Sequence, residues 1–373
     1  MLGDGTLLVY CSANQALRCA PIAERPGAGL VISPYQRDEA GLLATAAYLL
    51  RQRRFEAPLL LDAARYAGRA RLPASAPFNP RWLRRQRELG VPVLTDSGYV
   101  DSGDEPGLAG ILHRAAVLPD TIAVLPLHPI WLQDRLHRTV LTGHIRAAGA
   151  PVALVLEANR DPFALPGVVE GLLAVLDCGV PTLLLRCDVS ALGALCHGAR
   201  AAAVGTVAAL RHLTPRPPPA AGPAAGQPHG FRPAAPSAVF RPTLSYRRIG
   251  AIARAHRRHP DPDLFGCACT VCDGRDVDWM TALSDRDREV PAFEHSIRVL
   301  QDLRDELLGT GDWKQSWTAR CTDAVYRSRE LGWDPAPMLR HWQRQLEVQR
   351  QPGMQRQPGM QGRTGPAVAR LTA

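Results

Sequence analysis

Ile122-Ala123-Val124-Leu125-Pro126-Leu127, a helical pattern over Trp131–Ala148, and then Pro151-Val152-Ala153-Leu154-Val155-Leu156-Glu157 form the stretch that decides the fold. Neither apolar run alternates with polar residues, so each reads as a strand buried on both faces. Strands of that kind belong to parallel sheets, whose crossover helices cover the faces. Working outward, the same unit recurs. The other apolar runs are Leu7–Cys11, Gly29–Ser33, Pro58–Asp62, Pro92–Asp96, Pro181–Asp188 and Ala201–Thr206. Helical patterns fall at Asp38–Arg53, Pro80–Leu89, Pro106–Ala116, Leu165–Cys178 and Val189–Arg200. Eight apolar strands separated by helices predict an α/β fold, a (β/α)8 TIM-type barrel over residues 1–212. An open doubly wound sheet satisfies the same alternation and is the competing architecture.

After Arg211-His212 the chain changes character. Residues 213–238 are rich in Pro, Ala and Gly, cannot bury a core, and are expected to be a disordered linker. Residues 239–348 read as a mostly helical, metal-bearing region. In the tail, 349–373, the hexapeptide Gln349–Met354 repeats as Gln355–Met360, and disorder is expected there too.

Within the helical region Cys267-x-Cys269-x-x-Cys272, flanked by Gly266 and Gly274, is followed by His295 on a helical pattern. Three thiolates and one imidazole complete a tetrahedral shell for Zn²⁺, a structural site with no open position. The six other cysteines are scattered, which argues against a disulfide framework and for a reducing, cytoplasmic setting. The N-terminus lacks a signal-peptide pattern, and no run approaches the roughly 18 apolar residues of a membrane helix, so no membrane is expected. The net charge of +9 is unevenly spread. Arginines cluster at Arg51–Arg54, at Arg81–Arg85 and from Arg247 to Arg258, ahead of the cysteines. Basic surfaces of this kind favour polyanions, although a general bias of composition toward arginine gives the same excess.

In a barrel the functional groups lie where strands end and βα loops converge. Asp96, Glu157 and Asp188 close the fourth, sixth and seventh runs, so three carboxylates would face one mouth. Such a cluster suits acid–base or nucleophilic work at a glycosidic carbon. A strand-end aspartate is also a common helix cap, a role that Asp188-Val189-Ser190 fits. His128, Asp161, Asp62 and Tyr66 stand at neighbouring strand ends as weaker candidates.

Val93-Leu94-Thr95-Asp96-Ser97-Gly98 resembles the Thr-Asp-Ser-Gly-Gly-Phe-Gln segment of tRNA-guanine transglycosylases, and the Cys-x-Cys-x-x-Cys…His set resembles that family's zinc site. The resemblance spans about residues 90–310. It implies a (β/α)8 barrel that exchanges a guanine or 7-deazaguanine base in tRNA, or in DNA among relatives, with structural zinc. Asp96 would be the acid–base residue, and Ser97, Gly98 and Glu157 would bind the base. The chain departs from the pattern at Tyr99, Val100 and Asp101. The segment matching the family's nucleophile, Arg200–Thr206, has no carboxylate, so Asp188 is the candidate nucleophile. Three readings follow: a base-exchanging enzyme; a non-catalytic relative that binds nucleic acid or pairs with itself or a paralogue as a dimer; and an unrelated small-molecule barrel.

Overall fold

The computed structural model describes residues 2–35, 37–216 and 236–349. Residues 217–235 of the expected linker and 350–373 of the expected tail lie outside the described residues. The chain runs β1 (Thr6–Ser12), α1 (Ala16–Ala23), β2 (Ala28–Ser33), α2 (Glu39–Arg51), β3 (Leu59–Leu61), α3 (Pro80–Leu89), β4 (Val93–Leu94) and α4 (Glu105–Ala116). It continues through β5 (Thr121–Leu127), α5 (Ile130–Gln133), α6 (Arg135–Ala148), β6 (Val152–Leu156), α7 (Val168–Leu176), β7 (Thr182–Cys187), α8 (Ser190–Cys196) and β8 (Ala201–Gly205). Each expected strand is present. The helix expected over Trp131–Ala148 is divided, because Asp134 adopts an extended backbone and caps α6 by accepting from Leu136 and His137 N–H. Helix α1, absent from the expected set, carries Pro21 in its interior, which masked the pattern.

All pairings among these strands are parallel, in the order β3-β2-β1-β8-β7-β6-β5-β4. First and last strands are neighbours, and the two ends of the ladder, β3 and β4, are consecutive in the chain. That is a nearly closed barrel, which rules out the open doubly wound sheet. Alternation along each strand divides the core. Leu8, Tyr10, Val31, Leu60, Val124, Val155 and Leu185 fill the barrel, while Leu7, Val9, Leu30, Leu125 and Leu154 pack outward against helices.

The seam between β3 and β4 is closed indirectly. The side-chain amide of Gln86, on α3, takes both the N–H and the C=O of Leu94, and Trp82 Nε1 donates to the same carbonyl. Further along, Tyr99 N–H donates to Leu72 O at 2.8 Å, and Pro73 bridges Tyr99 in parallel register. Gly98 permits this approach, since a Cβ there would land on the Pro73 carbonyl oxygen. Gly98→Ala is accordingly expected to cost about 1–3 kcal/mol through overpacking. Thermal melting checks this, and an unshifted midpoint would mean that the seam does not close here.

Past β8 come β9 (Ser237–Phe240), β10 (Ser245–Arg248), α9 (Ile249–Arg258), α10 (Pro262–Phe265), α11 (Asp285–Leu308), α12 (Trp313–Glu330) and α13 (Pro337–Gln349). Helix α11 packs on α1, α8 and β1, the place of an eighth barrel helix. Gln301 Nε2 donates to Ile22 O at 2.9 Å and Arg304 Nε to Gly5 O at 2.8 Å, while Arg25 bridges Asp302 and Asp305 at 2.6 Å. Residues 1–212 thus hold all eight strands, whereas the ring of helices is completed from the later region. Helices α12 and α13 cover α8, where Gly193 leaves room for Trp317 and Trp342. No helix among the described residues is long and apolar enough to cross a membrane.

Candidate metal centre and barrel mouth

The knuckle Cys267–Cys272 folds back through two left-handed residues, Asp273 (φ 54°) and Gly274 (φ 77°). Gly274 N–H donates to Cys267 O, Asp273 N–H to Cys269 O, and Gly266 bridges Asp276. The three sulfurs therefore point to one side. His295 meets them from α11, with Nδ1 3.6, 3.5 and 3.3 Å from the sulfurs of Cys267, Cys269 and Cys272. With metal–sulfur and metal–nitrogen bonds of about 2.3 and 2.0–2.1 Å, tetrahedral angles place sulfur and nitrogen about 3.6 Å apart. The four donors fit that shell, and all lie within 4.8 Å of one another. This group could bind a metal.

The outer shell is in place as well. His295 Nε2 donates to Val239 O at 2.9 Å, which fixes the tautomer and turns Nδ1 toward the sulfurs. Val239 N–H in turn donates to Ser296 Oγ at 3.0 Å. Burial lowers the His295 imidazole, but the sulfurs of Cys267 and Cys269 and the Val239 carbonyl outweigh it and raise it to about 9. A second group, His256 with Asp276 and Asp278, also has donors within 4.8 Å. There each ring nitrogen faces a different carboxylate, at 3.6 and 3.0 Å, so the contacts span the ring rather than converge on a point.

At the barrel mouth the carboxylates divide into two kinds. Asp96 is 3% exposed, ion-pairs with Arg65 and accepts from Asn79 N–H at 3.0 Å. Ser97 and Thr95 share a hydroxyl hydrogen bond, and Thr95 Oγ1 accepts from Val124 N–H. Together with Gly98, these residues stitch the seam. Glu157 ion-pairs with Arg71, and its other oxygen accepts from the Tyr99 hydroxyl at 2.5 Å, with Arg71 lying over the Tyr99 ring. Arg65 and Arg71 belong to one loop, so a single segment neutralises both acids.

Asp161 and Asp188 differ. They follow the adjacent strands β6 and β7, and each gives one oxygen to a cap, Asp161 to Phe163 N–H and Asp188 to Ser190 N–H. Neither has an ion pair among the described residues. Burial pushes the Asp161 carboxyl well up, and the neighbouring Asp188 charge pushes it further. Burial also raises Asp188, against the Ser190 N–H and Arg211. Asp161 and Glu157 line a cavity of about 490 Å³ with His128 and Pro215, within the usual size for small-molecule sites. Asp96 and Asp188 are not among its lining residues. Asp161, a weaker candidate in the sequence, follows β6, and only the strand order sets it at the edge next to β7, which Asp188 follows.

The arginine clusters at 51–54 and 81–85 and the outer face of α9 (Arg254, Arg257 and Arg258) are exposed. Scanned against protein-family models and against curated proteins, the chain finds no match.

Proposed function

We propose that the protein is a transglycosylase-like enzyme exchanging a guanine-type base in a nucleic acid, tRNA or DNA, with zinc as its structural metal. The observation that carries this reading is the cavity of about 490 Å³ at the mouth lined by Glu157 and Asp161, with Asp188 following the adjacent strand β7. The Cys267, Cys269, Cys272 and His295 set suits zinc by donor type and spacing, and four protein donors leave no place for reacting water. In the reaction, an Asp188 carboxylate oxygen attacks C1′ of the target nucleoside. The C1′–N bond breaks, its electron pair stays with the departing base, and the base takes the proton that Asp161 carries. The incoming base then attacks C1′, displaces Asp188 as carboxylate, and returns a proton to Asp161. Asp96, held by Arg65 and the Asn79 N–H, anchors the seam in this scheme, so the proton role expected of it passes to Asp161. The target nucleotide would be extruded into the mouth, with exposed arginines on its phosphates.

A second reading, a non-catalytic relative that binds nucleic acid or a partner subunit, draws on one observation. The two acids matched to the base pocket, Asp96 and Glu157, are both filled from within by arginines of one loop. Radiolabelled guanine exchange into tRNA and duplex DNA separates the two. The enzyme reading expects incorporation by the wild type, and a fall of about 10²–10⁴-fold in Asp161→Asn and at least that in Asp188→Ala. Binding of tRNA without incorporation would establish the second reading.

A further inference from the structure

The nine cysteines differ in what can reach them. Seven are buried, and only Cys178 and Cys267 are partly open to solvent. Cys178 is a protected thiol: its Sγ donates to Ala174 O at 3.4 Å and to Thr142 O at 3.8 Å. Burial also raises it, against the nearby charge of Arg146. A raised thiol carries little thiolate, which is the form that reacts. Cys267 has the opposite setting. It belongs to the metal-binding group with Cys269, Cys272 and His295, and a thiol that coordinates a metal is held deprotonated.

The metal centre is not sealed on this side. A cavity of about 450 Å³ adjoins it, lined by Cys267, Cys269 and His295 together with Asp263, Val299 and Arg320. A water molecule takes up about 30 Å³, so the space far exceeds what an ion needs and admits a small neutral molecule. The three sulfurs are not equally open to it. Cys272 is fully buried and is not among the lining residues, and Cys269 is only 5% exposed. Gly266 and Ala268, the exposed neighbours of Cys267, carry no bulk to shield it. A small molecule in the cavity therefore meets the Cys267 sulfur first.

We infer that Cys267 is a modification site for hydroperoxides, and that its oxidation opens the metal clasp. The Cys267 thiolate attacks the hydroxyl oxygen of the peroxide. An S–O bond forms, the O–O bond breaks, and the other oxygen leaves as water or an alcohol after taking a proton from solvent. The sulfur is oxidised by two electrons to a sulfenic acid, and the peroxide is reduced by two. The Cys269 sulfur, within 4.8 Å, then attacks the oxidised sulfur. An S–S bond forms, the S–O bond breaks, and hydroxide leaves as water with a solvent proton. Two of the four donors are thereby consumed, and the tie between the knuckle and His295 of α11 is lost. The inference rests on the metal centre and not on base exchange.

The zinc-loaded full chain, its metal content fixed beforehand by elemental analysis, is treated with hydrogen peroxide and a 1,3-diketone that traps sulfenic acids. Peptide mass spectrometry locates the modified sulfur, and a chromophoric chelator follows zinc release. Label at Cys267, or its disulfide with Cys269, is expected about tenfold or more ahead of change at the other cysteines. About one zinc should be released for each Cys267 modified. Cys178→Ser should release zinc at the wild-type rate. A chain without metal at the outset would remove the centre itself, and this site with it. A loaded chain overturns the inference alone if it stays unmodified, if Cys178 or Cys272 reacts first, if zinc is kept once Cys267 is modified, or if release slows in Cys178→Ser.

Discussion

Cys269→Ser is expected to abolish metal binding and lower the melting temperature by about 10 °C. Structural zinc contributes about 10–16 kcal/mol in small zinc-dependent folds. Helix α11, which carries His295, has other anchors here in Gln301, Arg304 and the Arg25 bridges, so only part of that free energy should register. A third of it, about 4 kcal/mol, corresponds at about 2–4 °C per kcal/mol to a drop of about 8–16 °C. The effect should reach the barrel, because α11 covers β1 as the eighth helix of the ring. Elemental analysis with a thermal scan checks both parts. Retained metal, or an unmoved midpoint after its loss, would contradict the centre.

Asp62→Ala should be nearly as damaging, although Asp62 touches no metal and stands below the mouth. The carboxylate is 1% exposed and accepts from Tyr10 Oη at 2.7 Å, from Tyr66 Oη and from Ala64 N–H. Its charge balances Arg186, which is held inside the barrel by the same tyrosine. Removing one member of a buried charge pair costs about 3–5 kcal/mol, since the other is left uncompensated in low dielectric. Asp62→Asn keeps the shape and one acceptor but not the charge, and should fall between. Urea midpoints order the three proteins as wild type, Asn, Ala. Equal midpoints for wild type and Ala would show that Arg186 does not need this countercharge.

Much of this architecture is visible in the residues themselves. Parallel strands buried on both faces leave unbroken apolar runs, so all eight were readable, and the cysteine spacing marked the knuckle before any geometry. What stayed hidden depends on contacts between distant segments. Nothing local in Asp285–Leu308 says that it completes the barrel ring, because that role follows from Gln301 and Arg304 reaching Ile22 and Gly5. Asp96-Ser97-Gly98 reads as a site, yet its neighbours in space are Arg65, Asn79 and Pro73, on a loop whose path the sequence does not fix. Likewise Asp161 becomes notable only once β6 and β7 are adjacent. Chemistry that one segment carries alone is legible, and chemistry shared between loops is not.

X-ray absorption at the metal edge of the purified full chain tests most directly whether one loop and the eighth helix jointly clasp an ion. Three sulfurs at about 2.3 Å and one nitrogen at about 2.0–2.1 Å, at about one zinc per chain, is the expected shell. A shell dominated by oxygen, or four sulfurs with no nitrogen, would contradict the joining of His295 to the three cysteines.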